Sequence, residues 1–157
     1  MIKLEEKRKK MRKIKFRGYS KEINKWIYGN LIQSGSKFYI AKQEQIGIYE
    51  CFGIYTNVFG FKEYENIFKI EPTSIGQYTG IKDKNGKEIY EGDIILYERM
   101  PQKQDICLVE FDDEYICGFK AYPINMPNCN PFRLGKDIEE FVEIIGNAYD
   151  NPKLLKG

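Results

Sequence analysis

The sequence predicts an all-β protein: antiparallel hairpins forming a small barrel-like core, of which an SH3-like barrel is one form, preceded by an N-terminal β-meander and containing little helix. Three observations carry this expectation. Short runs alternate polar and apolar side chains and favour β-branched and aromatic residues. Glycine, Asn and Asp punctuate those runs at close intervals. Prolines 123, 127 and 131 disfavour both helix and central strand late in the chain. With 157 residues, 42% apolar and 15% aromatic, the chain is long enough for one globular domain with a core.

The elements follow in order. Residues 1–12, MIKLEEKRKKMR, read as a basic extension, either a short helix with EE ahead of KRKK at helical spacing or a flexible arm. Met11 is a second candidate start, which would make the first ten residues an extension. Residues 13–155 form the single domain, with a finer division into a meander (13–70) and a barrel-like subdomain (71–155). KIKFRGY and WIYGNLI alternate around the polar SKEINK and predict a hairpin; KFYIA, after Ser34 and Gly35, predicts a third strand. The span from Gln45 to Ile70 fits neither the helix nor the strand period. Strand pieces between glycine bends are expected there, with Phe52, Tyr55, Phe59 and Phe61 in the core. A platform for stacking bases is disfavoured because no basic residue interleaves between Gln45 and Phe61. DIILY then reads as a buried strand, MPQKQD as a loop, and ICLVEF, DDE and YICGFKAY as a second hairpin. PINMPNCNP is a long irregular loop, and FVEIIGNAY a last strand ending at Gly146 before a DNP turn.

The segment from Gly76 to Ile95, GQYTGIKDKNGKEIYEGDII, invites a phosphate-loop reading, and spacing rejects it. Gly80 and Gly86 have five residues between them where a P-loop needs four, and Glu88 follows Lys87 where a hydroxyl is required. A calcium loop fails because K-N-G follows Asp83 in place of further oxygen ligands. What remains is a turn. Asn85-Gly86 suits a type I′ hairpin; the alternative is a type I turn over Asp83 to Gly86, with Gly86 left-handed and the Asp83 carboxylate bonding backbone amides. Gly92 supplies a second bend or bulge ahead of the long strand.

Catalytic and metal chemistry finds little support. The chain has no histidine, so the commonest acid/base group and metal ligand at neutral pH is missing. Cys51, Cys107, Cys117 and Cys129 contain no C-x-x-C pair and read as buried reduced thiols. The acidic clusters Asp112-Asp113-Glu114 and Glu139-Glu140-Glu143 read as solvated turn residues. Ser20, Ser34, Thr73 and Ser74 lack a base and a G-x-S-x-G context. No enzyme activity, cofactor, metal or catalytic residue is expected. Neither a signal peptide nor a membrane span is supported, so the protein is expected to stay in the cytoplasm where it is made.

Charge is uneven. Residues 3–17 carry nine basic and two acidic side chains, leaving 16 basic and 21 acidic elsewhere. A mildly acidic body does not suit nucleic acid, whereas the arm does, with Lys9, Lys10, Arg12 and Lys13 as candidate phosphate contacts. A solvated arm is the simpler reading.

One set of residues forms a recognisable pattern: RKIKFR near the start, WIYGNLI after it, EPTSIGQYTGIKDKNGKEIYEGDII in the centre and IIGNAYDNPKLL at the end. From about Met11 to Leu155 the chain resembles the YopX family of phage and prophage proteins. The departures are the N-terminal extension and Gly18, where relatives often have Ala. The resemblance implies a phage or prophage origin and an all-β architecture, and brings no catalytic residues. The expected function is that of a phage accessory protein that binds a host or phage macromolecule, with self-association into a homo-oligomer. Two alternatives stand beside it: nucleic-acid binding through the arm, and an anti-defence ligand sponge or inhibitor.

Overall fold

The computed structural model describes residues 13–42, 66–100, 103–114, 117–126 and 128–156. Among the described residues, eleven strands form two antiparallel sheets. The first contains β1 (Phe16–Ser20), β2 (Lys25–Ser34), β3 (Lys37–Lys42), β4 (Ile67–Ile70), β5 (Gly76–Lys82) and β6 (Glu88–Tyr90), in the spatial order β4-β3-β2-β1-β5-β6. The second contains β7 (Asp93–Met100), β8 (Lys103–Asp112), β9 (Gly118–Pro123), β10 (Phe132–Arg133) and β11 (Val142–Asn147), in the order β10-β9-β8-β7-β11. The protein is all-β, as its patterning implies. Among the described residues, however, the sheets stay open and no closed barrel forms.

Alternation explains the first sheet. Along β1, Phe16 and Gly18 turn to the side of Ile27, Ile40 and Ile70, which make a small apolar cluster with Leu31, Phe68 and Ile75. Gly18 is required to be small: a Cβ there would lie 2.1 Å from Ile70 Cγ2. Arg17 and Tyr19 take the other face. In register with them, Arg17 faces Tyr28 and Tyr19 faces Trp26 on β2, while Arg17 also faces Gly76 on β5. The chain therefore returns, after residues 21–75, to complete β1's second edge.

The larger core gathers Ile81 and Ile89 from the first sheet with Ile95, Cys107, Val109, Phe119, Ala121 and Val142 from the second. Leu134 and Ile138 close it, the latter from a 3-10 turn, Lys136–Phe141, that sequence patterning did not signal. Phe141 belongs to that turn, not to the last strand, and is exposed.

Other boundaries shift for local reasons. The MPQKQD stretch is mostly strand, because Met100 and Lys103 pair and extend β7 and β8. β9 starts only at Gly118, since Cys117 has φ +48°, outside the strand region. β11 runs through Gly146 to Asn147 and carries a bulge between Ile144 and Gly146. Strand β4 lies in the span that fitted neither period; Phe52, Tyr55, Phe59 and Phe61 lie outside the described residues.

Candidate functional site

Four stretches distant in sequence converge on the outer face of β1. Arg17 Nη1 meets Asp93 Oδ1 at 2.5 Å, tying the centre of the first sheet to the first residue of the second. The other Asp93 oxygen accepts the Tyr90 amide at 2.8 Å, and Arg17 Nη2 donates to the Glu91 carbonyl at 3.1 Å. The guanidinium carbon lies 5.0 Å from the Trp26 ring centre and 5.2 Å from that of Tyr90, so the cation is held between two aromatic faces. Both charges are almost wholly buried, Arg17 at 7% exposure and Asp93 at 1%. Burial pushes the Asp93 carboxyl above its ordinary range, and the Arg17 charge opposes that shift. Gly76 makes room for this packing: a Cβ there would stand 2.2 Å from the Glu91 carbonyl oxygen.

The C-terminal turn closes the same face. Tyr149 packs 5.3 Å from Tyr19 and 5.7 Å from Trp26 between ring centres, and Trp26 Nε1 donates to Asp150 Oδ2 at 2.9 Å. Asn147 Nδ2 donates to that same oxygen, which fixes the turn.

Beside the Arg17 pair lies a cavity of about 270 Å³ lined by Lys15, Arg17, Tyr28, Lys87, Glu88 and Tyr90. Glu88 is its centre. Oε2 accepts from Lys15 Nζ and from the Tyr90 hydroxyl, both at 2.7 Å, and Oε1 lies 3.6 Å from Lys13 Nζ. Burial alone would raise the Glu88 carboxyl, but hydrogen bonds from Lys15 and Tyr90 outweigh it and hold the group below its usual value. Burial, reinforced by the Glu88 carboxylate, pushes the Tyr90 hydroxyl far above its usual value. Tyr28 is 42% exposed, stands 5.5 Å from Tyr90 in an edge-to-face pair, and has the Lys15 ammonium 5.6 Å from its ring centre.

A second cavity, about 310 Å³, lies at the far end of the β8–β9 hairpin. Its buried Asp112 is bonded to Lys120 and accepts the Glu114 amide at 3.0 Å, while Asp113 and Glu114 are exposed. The other acidic cluster is dispersed: Glu139 accepts the Lys82 amide, Glu143 pairs with Lys84, and Glu140 is exposed. No group of three potential metal ligands occurs among the described residues. Of the cysteines, Cys107 is buried and its thiol is pushed up to about 12 by burial, whereas Cys117 and Cys129 are exposed, contrary to the expectation of buried thiols. Cys51 lies outside the described residues.

The turn residues form one corner. Asp83 Oδ1 accepts the amides of Asn85 and Lys87, each at 2.9 Å, and its carbonyl accepts that of Gly86. Gly86 has φ +79° whereas Asn85 is not left-handed, so the turn is the form in which the Asp83 side chain holds the amides, not the type I′ form. Gly92, at φ +81°, donates to Val109 and accepts from Ala148, which bends the chain from one sheet into the other. The Tyr78 amide bonds the Lys15 carbonyl, so it is not free to cradle a phosphate. Ser20 and Ser74 are buried, the latter holding the Tyr19 amide, and Ser34 and Thr73 are exposed. Of the candidate phosphate contacts, Lys13 reaches Glu88; Lys9, Lys10 and Arg12 lie outside the described residues.

Sequence reading missed Arg17, Asp93, Glu88 and Tyr28 as partners. Charges at alternate strand positions normally face water. The available signal was that these positions share a face with Trp26 and Tyr28 once the first hairpin is put in register.

Fold and site together define a two-sheet antiparallel β protein whose sheets are pinned by a buried ion pair beside a basic, tyrosine-lined cavity. The chain belongs to the YopX protein family, which matches residues 15–156. Its fold is also similar to the crystal structure of protein EF1440 from Enterococcus faecalis, at 23% identity and a TM-score of 0.54, covering 92% of this chain and 99% of that one. No curated protein matches the chain. The segments RKIKFR, WIYGNLI, EIYEGDII and IIGNAYDNP, which carry the family pattern, are those that supply Arg17, Trp26, Tyr90, Asp93, Tyr149 and Asp150.

Proposed function

We propose that this chain is a phage or prophage accessory protein that acts in the bacterial cytoplasm by binding a host or phage macromolecule rather than by catalysis. The observation that supports this reading is the direction in which the cavity moves its proton-carrying groups. Glu88 is held below its usual value and Tyr90 well above it, so neither is poised to exchange a proton near pH 7. A carboxylate and a phenol held in such fixed states are suited to recognition. The test is native purification of the full chain from cells carrying the phage, followed by native mass spectrometry that detects protein, nucleic acid and small molecules. A stoichiometric complex is expected, and recovery of the bare monomer alone would overturn the proposal. Size exclusion with crosslinking across concentrations decides whether a second copy is one of the partners.

A second reading, nucleic-acid binding through the basic arm, is favoured by Lys13, which joins Glu88 at the cavity and is continuous with the basic run of residues 3–12. It predicts affinity that falls steeply with salt. Binding that survives deletion of residues 1–10 unchanged would remove the arm from consideration.

A further inference from the structure

We propose that the cavity beside β1 binds one nucleoside phosphate unit, with the base against Tyr28 and the phosphate on Lys87 and Lys15. This rests on the binding reading above and names a ligand class for the site described there.

Three features carry it. First, four cations (Lys13, Lys15, Arg17, Lys87) surround two carboxylates (Glu88, Asp93), so the site holds an excess of two positive charges. Lys15 and Lys13 are shared on Glu88, Arg17 is matched by Asp93, and Lys87 makes no side-chain ion pair or hydrogen bond among the described residues. Lys87 lies within electrostatic reach of Asp93, whose Oδ1 Arg17 already engages, so an anion entering here meets an ammonium with no bonded partner. Second, Tyr28 offers an aromatic face beside those cations, supported edge-on by Tyr90 so that the ring is held in place. A rigid aromatic next to a phosphate-binding cation is the combination that recognises nucleotides without reading their sequence, because every base has a π-face. Third, the volume of about 270 Å³ is at the small end of ligand sites and suits one ring and one phosphate, not a folded partner. Glu88 does not exclude such a ligand: its charge is already countered by two ammoniums, and Oε1, 3.6 Å from Lys13, remains an acceptor for a sugar hydroxyl. The second cavity lacks this balance, since its buried lysine is bonded to Asp112 and two exposed carboxylates flank it.

A nucleoside phosphate can arrive free or as one unit of a single strand, and calorimetric titration separates the two. The full chain is titrated with adenosine 5′-monophosphate, with adenosine, with inorganic phosphate, and with a short oligothymidylate. The same titrations are run on Tyr28→Ala, Tyr28→Phe and Lys87→Glu, and on a chain lacking residues 1–10, with thermal unfolding confirming that each variant is folded. Binding of the monophosphate that weakens at least fivefold in Tyr28→Ala and in Lys87→Glu, is kept in Tyr28→Phe and is kept on removal of the arm supports the proposal with a free nucleotide as ligand. Oligothymidylate binding with the same variant pattern and no response to the monophosphate supports it with a strand as ligand. Oligothymidylate binding that ignores both substitutions and vanishes with residues 1–10 overturns it in favour of the arm. No binding of either nucleotide form also overturns it, and a macromolecular complex still recovered from phage-carrying cells would then leave the broader binding reading standing.

Discussion

Asp83 Oδ2 accepts the backbone amide of Ile144, 61 residues away, at 3.2 Å, while the adjacent Lys84 amide donates to the Val142 carbonyl at 2.9 Å. The turn between β5 and β6 thereby covers the outer edge of β11, which would otherwise present unpaired strand groups to another chain. One carboxylate shapes the turn with its first oxygen and seals the second sheet with its other.

Asp83→Ala should leave three amides without their acceptor and cost about 2–3 kcal/mol, at the level of an unsatisfied buried donor. Hydrogen exchange at Asn85, Lys87 and Ile144 should accelerate together. Unchanged exchange at Ile144 would show that the edge is held by other bonds.

Gly86→Ala forces a side chain into φ +79°, and should cost about 1–2 kcal/mol. Gly29→Ala meets a different obstacle, since its Cβ would lie 2.0 Å from the Ala41 carbonyl oxygen. Urea midpoints of the two variants distinguish these causes if Gly86→Asn recovers part of the first loss and a smaller residue cannot be found to recover the second.

Arg17→Met and Asp93→Asn should each destabilise by about 3–5 kcal/mol, because each leaves the opposite group buried without its partner. The double variant should lose clearly less than the two single losses combined. Simple additivity would mean that the pair contributes nothing as a pair.

Glu88 gives the protein a specific acid sensitivity. Its folded value lies below that of the unfolded chain, so its ionised form stabilises the fold above about pH 4.3. That contribution drains away as pH falls from there through the folded value. Denaturant titrations between pH 3 and pH 6 should show a shallower pH dependence for Glu88→Gln than for the parent chain. Equal slopes would refute the assignment.

The single tryptophan reports on the C-terminal turn. In Asp150→Ala, Trp26 loses its Nε1 acceptor, and its emission should move to the red as Tyr149 and the turn loosen from the sheet.

Much of the strand content was legible because alternation and turn chemistry are local. KIKFRGY, WIYGNLI and KFYIA became β1, β2 and β3, and Asp83, Gly86 and Gly92 occupy turns of the kinds their residue types permit. The 3-10 turn Lys136–Phe141 was not legible, since its role is to lay Ile138 on a core assembled from both sheets. Nor was the site. Arg17 reads as a solvent-facing residue of a two-residue period until Asp93, 76 positions later, is brought beside it. An open pair of sheets and a barrel also share the same local pattern, because closure depends on how edges meet and not on the strands themselves.

The placement of β1 has a consequence for synthesis. It is an interior strand, yet one of its neighbours, β5, begins at Gly76, and the turn that clamps its outer face, at residues 149–150, is made later still. A nascent chain on the ribosome can assemble β1, β2 and β3 early, but their sheet keeps a raw edge until residues 76–77 emerge, and Trp26 stays uncovered until residues 149–150 do. Such long-range closure slows folding and prolongs exposure of sticky intermediates. Products that stop before residue 149 should therefore associate with one another, or with chaperones, more readily than the full 157-residue chain.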